Sequence, residues 1–336
     1  MGEARTYSDR LGAISDAQFQ AVAERFGLGR FVSAAPTTAG LFGQNVFVTT
    51  TDGEFVLRGA PHWVKGIDDT EYRREDRHQF TSERWFAQQL HERTKVAVPW
   101  PIHHDQSDDI FGWPYLVMPK MPGLCTDERT ILKVLESEDR RGVAAALGEN
   151  LAEMQKLTSP FAGMFSPVTI ELEPFPNGAL DWIKREMRAS IRSCGEKLNR
   201  EDLSWLEDAI SGAKGDDVNT YVHRDYKFGN LSLLKEGSRW RVSGLFDFHE
   251  ARFSDGTLDL VRSACSYLDT EPALAAVFRE AYGRPLDAGR MTLYVIYDRL
   301  IFWDFFSRPE NKADWFKGKT FRGWAQRYVD GILKVL

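Results

Sequence analysis

Residues 223–230 read His-Arg-Asp-Tyr-Lys-Phe-Gly-Asn, and a short apolar run stands on each side of them. Short apolar runs are typical of buried strands, so the polar residues between them are predicted to form a loop held at both ends. A further apolar run at 241–246 leads directly into Asp247. The pattern predicts that the side chains of Asp225, Asn230 and Asp247 meet at one edge of a small sheet.

These three residue types match the needs of phosphoryl transfer. An acceptor group must hold the attacking hydroxyl in line, and metal ions must neutralise the charge on the phosphate oxygens. Asp225 suits the first role, and Asn230 and Asp247 supply the oxygen ligands that Mg²⁺ prefers. An Asp or Asn at a strand end more often only forms a turn. The order and spacing are nevertheless those of a kinase catalytic loop followed by its metal-binding Asp, which favours the catalytic interpretation.

On these residues the chain resembles the aminoglycoside phosphotransferase family, the small-molecule branch of the protein-kinase-like fold. That family usually has His-Gly-Asp-x-x-x-x-Asn in the loop and Ile-Asp-Phe or Ile-Asp-Trp in the metal segment, where this chain has Leu-Phe-Asp-Phe at 245–248. The sequence departs at Arg224, where the family mostly has Gly and protein kinases have Arg. Lys227 stands where serine/threonine kinases place a Lys near the transferred phosphate, so it joins Asp225 as a predicted catalytic residue.

The resemblance covers roughly residues 36–265 and implies an α+β architecture, the two-lobed protein-kinase-like fold. It implies an N-terminal nucleotide-binding lobe at 1–118, built from an antiparallel sheet and a helix, and a hinge at 119–123. A mostly helical C-terminal lobe at 124–336 would then carry the catalytic loop and the acceptor site. The length of 336 residues independently favours more than one core.

Three strands are predicted at 31–33, 46–50 and 54–58, and the first turn between them holds Gly40 and Gly43. Two glycines in such a turn let backbone N–H groups approach the phosphates of a nucleotide, although a loose hairpin is the commoner use of these residues. Their predicted role in nucleotide binding therefore depends on the catalytic loop downstream.

Arg58 ends the third of these strands, where kinases carry a Lys that contacts the nucleotide phosphates and pairs with a Glu on the next helix. A guanidinium also binds phosphate, so Arg58 is predicted to replace that Lys, with Lys65 and a merely exposed strand-end Arg as the alternatives. A helix is predicted from about residue 71 to about residue 92. On it, Glu83 is the predicted partner at the family spacing, and Glu75 is its rival.

Residues 112–123 combine an apolar strand with three prolines and glycine, a composition typical of a connection between domains. The resemblance implies that this segment is the hinge. In that case, backbone groups around Met118 and Lys120 would bond the purine of the nucleotide.

Net charge and composition limit the kinds of partner that the protein is expected to bind. A net charge of −6 argues against a nucleic-acid partner, and an acidic surface attracts cationic substrates. The aromatic C-terminal region contains acids that are expected to face solvent, as charged helical residues mostly do, and amine binding by them is the alternative. These acids are Asp298, Asp304, Glu310 and Asp314. No apolar stretch of about 20 residues predicts a membrane span. A polar N-terminus and three scattered cysteines predict a cytoplasmic protein, taken to be a monomer or weak dimer.

The sequence therefore predicts a Mg²⁺-dependent enzyme that moves the γ-phosphate of ATP or GTP to a hydroxyl of a small, cationic molecule. An antibiotic such as an aminoglycoside or a hygromycin-like compound is the favoured acceptor. Related folds act on choline, homoserine, fructosamines, macrolides and hydroxyacyl thioesters, so a metabolite kinase stays open. Arg224 and Lys227 also suggest a protein kinase, but His249 replaces the Gly of the kinase Asp-Phe-Gly segment. A catalytically silent nucleotide-binding protein is the remaining alternative, raised by Arg58.

Overall fold

The computed structural model describes residues 4–37, 44–59, 79–166, 168–215, 218–308, 311 and 314–335. Five residues singled out in the sequence lie outside these ranges, and their suggested roles stay predictions. They are Gly40, Gly43, Lys65, Glu75 and Glu310.

The N-terminal part begins with a small hairpin and a capped helix. Strands β1 (Arg5–Ser8) and β2 (Gly12–Ile14) pair antiparallel, and helix α1 spans Asp16–Phe26. The side chain of Ser15 accepts the backbone N–H of Gln18, and the Gln18 side chain accepts the N–H of Ser15. This reciprocal pair is a capping box, so the sequence itself sets the start of α1.

A five-stranded antiparallel sheet follows, in the order β3-β4-β5-β7-β6. Its strands are β3 (Phe31–Pro36), β4 (Asn45–Thr50), β5 (Gly53–Gly59), β6 (His103–Asp105) and β7 (Tyr115–Pro119). The turn at Asp52-Gly53 joins β4 to β5, as its sequence predicts. In the pairing of β5 with β7, Arg58 lies opposite Leu116 in the interior of the sheet.

Helix α2 (Gln79–Arg93) packs one face into the protein interior. Phe80, Phe86 and Leu90 are fully buried on this face, at the spacing that aligns side chains along one side of a helix. Glu83 lies on the same face and is only 2% exposed. The periodicity of α2 therefore turns the Glu83 carboxylate inward, towards the sheet, and away from solvent.

The C-terminal part is mostly helical. Its helices are α3 (Glu128–Val134), α4 (Ser137–Met154), α5 (Gly178–Cys194), α6 (Arg200–Gly212), α7 (Thr257–Thr270), α8 (Pro272–Tyr282), α9 (Ala288–Ser307) and α10 (Phe321–Val335). Within the described ranges, no helix has both the length and the apolar character needed to cross a bilayer.

A second sheet corrects one sequence-based expectation. The segment 161–176 is rich in Pro, Gly and Phe, which is typical of a loop, but it contains the hairpin strands β8 (Gly163–Ser166) and β9 (Glu171–Pro174). A Cβ atom at Gly163 would lie 2.1 Å from the carbonyl oxygen of Glu173. Gly163 therefore does not mark a turn. It allows the two strands to approach closely, because a side chain would not fit there.

The remaining strands are β10 (Thr220–Val222), β11 (Leu231–Glu236), β12 (Arg239–Leu245) and β13 (Arg252–Ser254). The second sheet has the order β10-β13-β8-β9, and β11 and β12 form a separate hairpin. The catalytic segment thus lies between β10 and β11, and the metal segment between β12 and β13, as the apolar runs predict.

Two large apolar clusters form most of the interior, and a small third one consists of Ala162, Phe175 and Ala179. One large cluster lies between α1 and the five-stranded sheet, and the other joins α2 to the C-terminal helices. Helix α2 therefore connects the N-terminal sheet to the helical part, and the division at 1–118, 119–123 and 124–336 stays a prediction.

Candidate active site

The loop after β10 is held by one buried carboxylate on α7. Asp259 accepts the backbone N–H of His223 at 2.6 Å and that of Arg224 at 2.8 Å. Burial raises the pKa of Asp259 to about 7, although the two N–H donors oppose this change. Through these two bonds Asp259 anchors the backbone of the predicted catalytic loop.

His223 ties the catalytic loop to the metal segment. Its Nε2–H donates to the carbonyl oxygen of Phe246 at 3.1 Å, while its Nδ1 accepts the backbone N–H of Asp225 at 3.3 Å. The backbone N–H of Phe246 also donates to the carbonyl oxygen of Asn230 at 3.2 Å. Since Asp247 directly follows Phe246, these bonds bring the two predicted segments together.

Arg224 occupies a conformation that favours glycine. Its φ is +73°, in the left-handed region that costs about 1–3 kcal/mol for residues with a Cβ. This explains why glycine suits the position, and the side chain of Arg224 offsets part of the strain by donating to the Tyr297 hydroxyl at 2.9 Å. Arg224 also stacks on the Tyr297 ring at 4.9 Å. Its buried Nε has no hydrogen-bond partner among the described residues.

Asp225 is surrounded by donors. Lys227 Nζ lies 2.5 Å from Oδ2, and Asn230 Nδ2 donates to the same oxygen at 3.0 Å. Arg262 of α7 reaches the other oxygen, Oδ1, at 2.9 Å. Burial would raise the pKa of Asp225, but Arg262 and Lys227 outweigh it and lower this pKa to about 2. Asp225 is therefore a carboxylate throughout the neutral pH range, able to accept a hydrogen bond from a hydroxyl.

Arg58 joins two acids from different parts of the chain. Its guanidinium lies 3.1 Å from Glu83 on α2 and 2.9 Å from Oδ1 of Asp247. Burial opposes the charge on Arg58, yet the two carboxylates raise the pKa of the guanidinium above its ordinary value. The structure thus brings together the Arg58, Glu83 and Asp247 that were predicted from the kinase pattern.

His249 is a member of this cluster that sequence reasoning did not select. Its Nδ1 lies 2.7 Å from Oδ1 of Asp247. Burial alone would lower the pKa of His249, but the bond to Asp247 raises it to about 9. The sequence did offer a sign of its involvement. His249 stands at the Gly position of the kinase Asp-Phe-Gly segment, where kinases have no side chain.

The oxygen donors fit a hard divalent cation. Asn230 donates through its amide nitrogen to Asp225, which leaves its side-chain oxygen as a ligand. On Asp247 both Arg58 and His249 reach Oδ1, which leaves Oδ2. An amide oxygen and a carboxylate oxygen are ligands that Mg²⁺ accepts together with phosphates and water. Ligand atoms of Glu83, Asp247 and His249 also lie within 4.8 Å of one another.

One backbone group of the predicted hinge, the N–H of Lys120, is already hydrogen-bonded within the protein and is not free to bond a purine. The N–H of Lys120 donates to the carbonyl oxygen of Glu54 at 3.0 Å, and its side chain pairs with the Glu54 carboxylate at 3.1 Å. Met118 lies opposite Val56 in the same antiparallel register. Because hydrogen-bonded and non-bonded pairs alternate, the carbonyl of Pro119 points away from β5. The carbonyl of Pro119 therefore takes no part in the pairing with β5, and the nucleotide contacts of Met118 and Lys120 stay predictions.

Two of the acids considered as alternative amine sites contact arginines. Asp298 lies 3.4 Å from Arg262 and accepts from Arg299 Nε at 3.1 Å. Asp304 accepts from Ser193 at 2.7 Å and from Arg308 at 2.9 Å. Asp314 pairs with Lys317 at 2.5 Å and is exposed. The charges around α9 are therefore largely balanced within the protein.

The fold and the site define a class, that of protein-kinase-like phosphotransferases. An antiparallel sheet and helix supply the Arg58–Glu83 pair, and a mostly helical part supplies the catalytic and metal segments. The sequence matches the model of the phosphotransferase enzyme family, APH, over residues 34–294 of the 336-residue chain. The chain belongs to this family, and the resemblance and fold class predicted from the sequence are confirmed.

Solved structures show the same fold at low sequence identity. The GDP complex of wild-type aminoglycoside 2'-phosphotransferase-IIIa has a TM-score of 0.60 at 14% identity, covering 98% of both chains. Macrolide 2'-phosphotransferase MphH from Brachybacterium faecium has a TM-score of 0.60 at 16% identity, covering 94% of this chain and 98% of that one. Choline kinase LicA from Streptococcus pneumoniae has a TM-score of 0.54 at 15% identity, covering 95% of this chain and 99% of that one. A comparison with curated proteins found no match.

Proposed function

We propose that this protein transfers the γ-phosphate of ATP or GTP to a hydroxyl group of a small molecule, in the presence of Mg²⁺. The observation that carries the proposal is the arrangement around Asp225, whose carboxylate is ionised and bonded to Asn230 and Lys227. The segment that contains Asp247 is joined to the same loop through His223 and Phe246. These groups have the types and the order that phosphoryl transfer requires.

In the proposed reaction, Asp225 accepts a hydrogen bond from the acceptor hydroxyl and holds its oxygen in line with the γ-phosphorus. The bond from the hydroxyl oxygen to phosphorus forms while the bond from phosphorus to the β,γ-bridging oxygen breaks, and ADP or GDP leaves. The hydroxyl proton passes to Asp225 and then to water. A carboxylate with a pKa of about 2 is a weak base, which suits orientation and late proton transfer.

Two groups of side chains would hold the nucleotide and the metal. Asn230 and Asp247 offer oxygen ligands to Mg²⁺, which when bound neutralises the charge on the phosphate oxygens. Lys227 lies beside Asp225 and offers a cation to the transferred phosphate. Arg58 offers guanidinium N–H groups to the other phosphates.

The alternative of a catalytically silent nucleotide-binding protein rested on Arg58 in place of the usual Lys. Arg58 lies 3.1 Å from Glu83, at the place of the Glu with which that cation pairs in kinases, and 2.9 Å from Asp247. The contacts of Arg58 therefore support an active enzyme. A cytoplasmic location and a monomer or weak dimer stay predictions from the sequence.

The acceptor has two candidate classes. Similar folds in aminoglycoside and macrolide phosphotransferases support an antibiotic, the class favoured from the sequence. The balanced charges of Asp298 and Asp304 favour the second class, a metabolite hydroxyl without several amines, because neither acid is open to a polycationic ligand unless an arginine moves away. The acceptor in this second class resembles those of metabolite kinases with the same fold.

The test uses the purified full chain with ATP or GTP and Mg²⁺. Release of ADP or GDP is measured with kanamycin, a macrolide, choline, homoserine and a fructosamine, and mass spectrometry checks each acceptor for one added phosphoryl group. We expect at least one acceptor to raise nucleotide release above the rate in water, and Asp225→Asn to abolish the increase. A parent protein that neither binds nucleotide nor modifies any acceptor contradicts the proposal.

A further inference from the structure

Arg262 contacts the predicted catalytic carboxylate but lies outside every motif of the sequence. It is on α7, and its NH2 group lies 2.9 Å from Oδ1 of Asp225. Its NH1 group lies 3.4 Å from Oδ1 of Asp298 on α9. The guanidinium also stacks on the ring of Phe302, with 4.2 Å between its central carbon and the ring centroid. Three contacts from two elements therefore fix the plane of this guanidinium.

Asp298, the second carboxylate that Arg262 contacts, is itself held in place by a buried arginine. Asp298 is 6% exposed, and Arg299, which is 3% exposed, donates to its other oxygen through Nε at 3.1 Å. The Arg299 guanidinium lies over the ring of Tyr328 at 4.5 Å. Asp225, Arg262, Asp298 and Arg299 thus form a row of alternating charges that runs from the catalytic loop into the interior of the helical part.

Fixing Arg262 has a consequence for Asp225. A carboxylate is a two-fold rotor, and either oxygen can face an acceptor hydroxyl unless a donor distinguishes them. Arg262 holds Oδ1, whereas Lys227 and Asn230 both reach Oδ2. Oδ2 is therefore the oxygen on the side of the residues that are predicted to meet phosphate and metal.

We propose that Arg262 is a positioning residue, which holds Oδ1 of Asp225 so that Oδ2 faces the acceptor hydroxyl, and that Asp298 fixes Arg262 in this orientation. The inference rests on the proposed function. A Lys cannot replace Arg262 fully, because one nitrogen cannot form the guanidinium fork that reaches both carboxylates. Removing a group that orients a reacting residue typically lowers rates by about 10–100-fold.

The experiment compares Arg262→Ala, Arg262→Lys and Asp298→Asn with the parent enzyme, and measures kcat and the KM for ATP from ADP release with a productive acceptor or with water. We expect kcat to fall about 10–100-fold for Arg262→Ala and less for the other two, with the KM for ATP within about twofold. Arg239→Ala is the matched control, because Arg239 forms its one ion pair among the described residues with the exposed Glu149, at 2.7 Å. It should behave like the parent.

A double-mutant cycle separates positioning from a merely structural role. If Arg262 acts through Asp225, adding Arg262→Ala to Asp225→Asn should not lower kcat further. Independent structural damage would instead lower kcat in addition to the loss from Asp225→Asn. Unchanged kcat in Arg262→Ala, or additive losses in the cycle, overturns the inference while leaving the proposed function intact. If Arg262→Ala does not fold, the same cycle is run with Arg262→Lys. A parent whose ADP release equals that of Asp225→Asn refutes the proposed function itself.

Discussion

The guanidinium of Arg58 lies 2.9 Å from Oδ1 of Asp247, so strand β5 is bonded directly to the predicted metal ligand. Both residues are held further, Arg58 by Glu83 and Asp247 by His249. The cluster therefore ties the five-stranded sheet to the helical part at the place where nucleotide phosphates are proposed to bind. It also surrounds one carboxylate oxygen of Asp247 with two cations.

Replacing Arg58 should affect both nucleotide binding and stability. Arg58→Ala removes charge-assisted contacts to phosphate worth about 1.5–3 kcal/mol, so kcat/KM for ATP should fall about 10–100-fold. It also removes the cation beside the buried Glu83 carboxylate, which should lower the free energy of unfolding by about 3–5 kcal/mol. Steady-state kinetics and denaturant unfolding check the two effects.

The matched variant is Arg58→Lys, which restores the residue that most kinases carry at this position. It should keep more of the activity and stability than Arg58→Ala, because a Lys retains the charge between Glu83 and Asp247. Equal activity in the parent and Arg58→Ala would contradict a role of Arg58 in nucleotide binding.

The sequence predicts the local chemistry of the site because that chemistry lies in continuous segments. The apolar runs around residues 223–230 and before Asp247 specify strands, and the residues between them can only form short, constrained loops. The inward position of Glu83 follows from helical periodicity. These features depend on neighbours along the chain, which a single sequence displays.

Contacts between distant segments could not be predicted in the same way. Asp225 and Arg262 belong to a loop and to a helix, and nothing in the spacing of their residues indicates that they meet at 2.9 Å. The acids of α9 illustrate the same limit, since their charge suggested amine binding while tertiary packing pairs Asp298 and Asp304 with arginines. At the hinge, only the strand register shows that the N–H of Lys120 is already used.

Asp225→Asn tests the proposed catalytic carboxylate. An Asn of the same shape keeps a side-chain oxygen but loses the negative charge, so kcat should fall by about 10²–10⁴-fold while the KM for ATP changes little. Nucleotide binding by calorimetry should remain, because the proposed role of Asp225 is to hold the acceptor hydroxyl and not the nucleotide. Turnover equal to that of the parent would exclude Asp225 as the residue that orients the hydroxyl.

Activity should depend on Mg²⁺ and on its two predicted ligands, Asp247 and Asn230. Chelation of Mg²⁺ should abolish activity, and Asp247→Asn should reduce it at every metal concentration because a charged ligand is lost. Asn230→Ala should raise the Mg²⁺ concentration needed for half-maximal rate. A titration of initial rate against Mg²⁺ measures all three effects, and activity that survives chelation would contradict the proposed metal site.

His249 gives the opposite expectation for the same titration. A protonated His249 at 2.7 Å from Asp247 opposes a second cation at this carboxylate, so His249→Ala should lower the Mg²⁺ concentration needed for half-maximal rate. His249→Gln is the matched control, because it keeps a hydrogen-bond donor without the charge. If both variants need more Mg²⁺ than the parent, His249 supports metal binding instead of opposing it.

The pH–rate profile should show no acid limb from protonation of the proposed catalytic carboxylate, Asp225. Burial would raise the pKa of Asp225, but Arg262 and Lys227 lower it to about 2, below the ordinary value of about 3.9. Its folded pKa is depressed, so its contribution to stability is present above about pH 4 and is lost as the pH falls towards 2. At pH 5 to 8, Asp225 should therefore be fully ionised, and log kcat/KM should show no decrease from its protonation.

Arg262→Ala removes the charge that lowers the pKa of Asp225 most, so the acid limb should move to higher pH. A comparison of the pH–rate profiles of the parent and the variant measures this shift. An acid limb with a midpoint near pH 6 in the parent that is absent from the residual activity of Asp225→Asn, but persists in Arg239→Ala, would show that the carboxylate titrates far above its expected range.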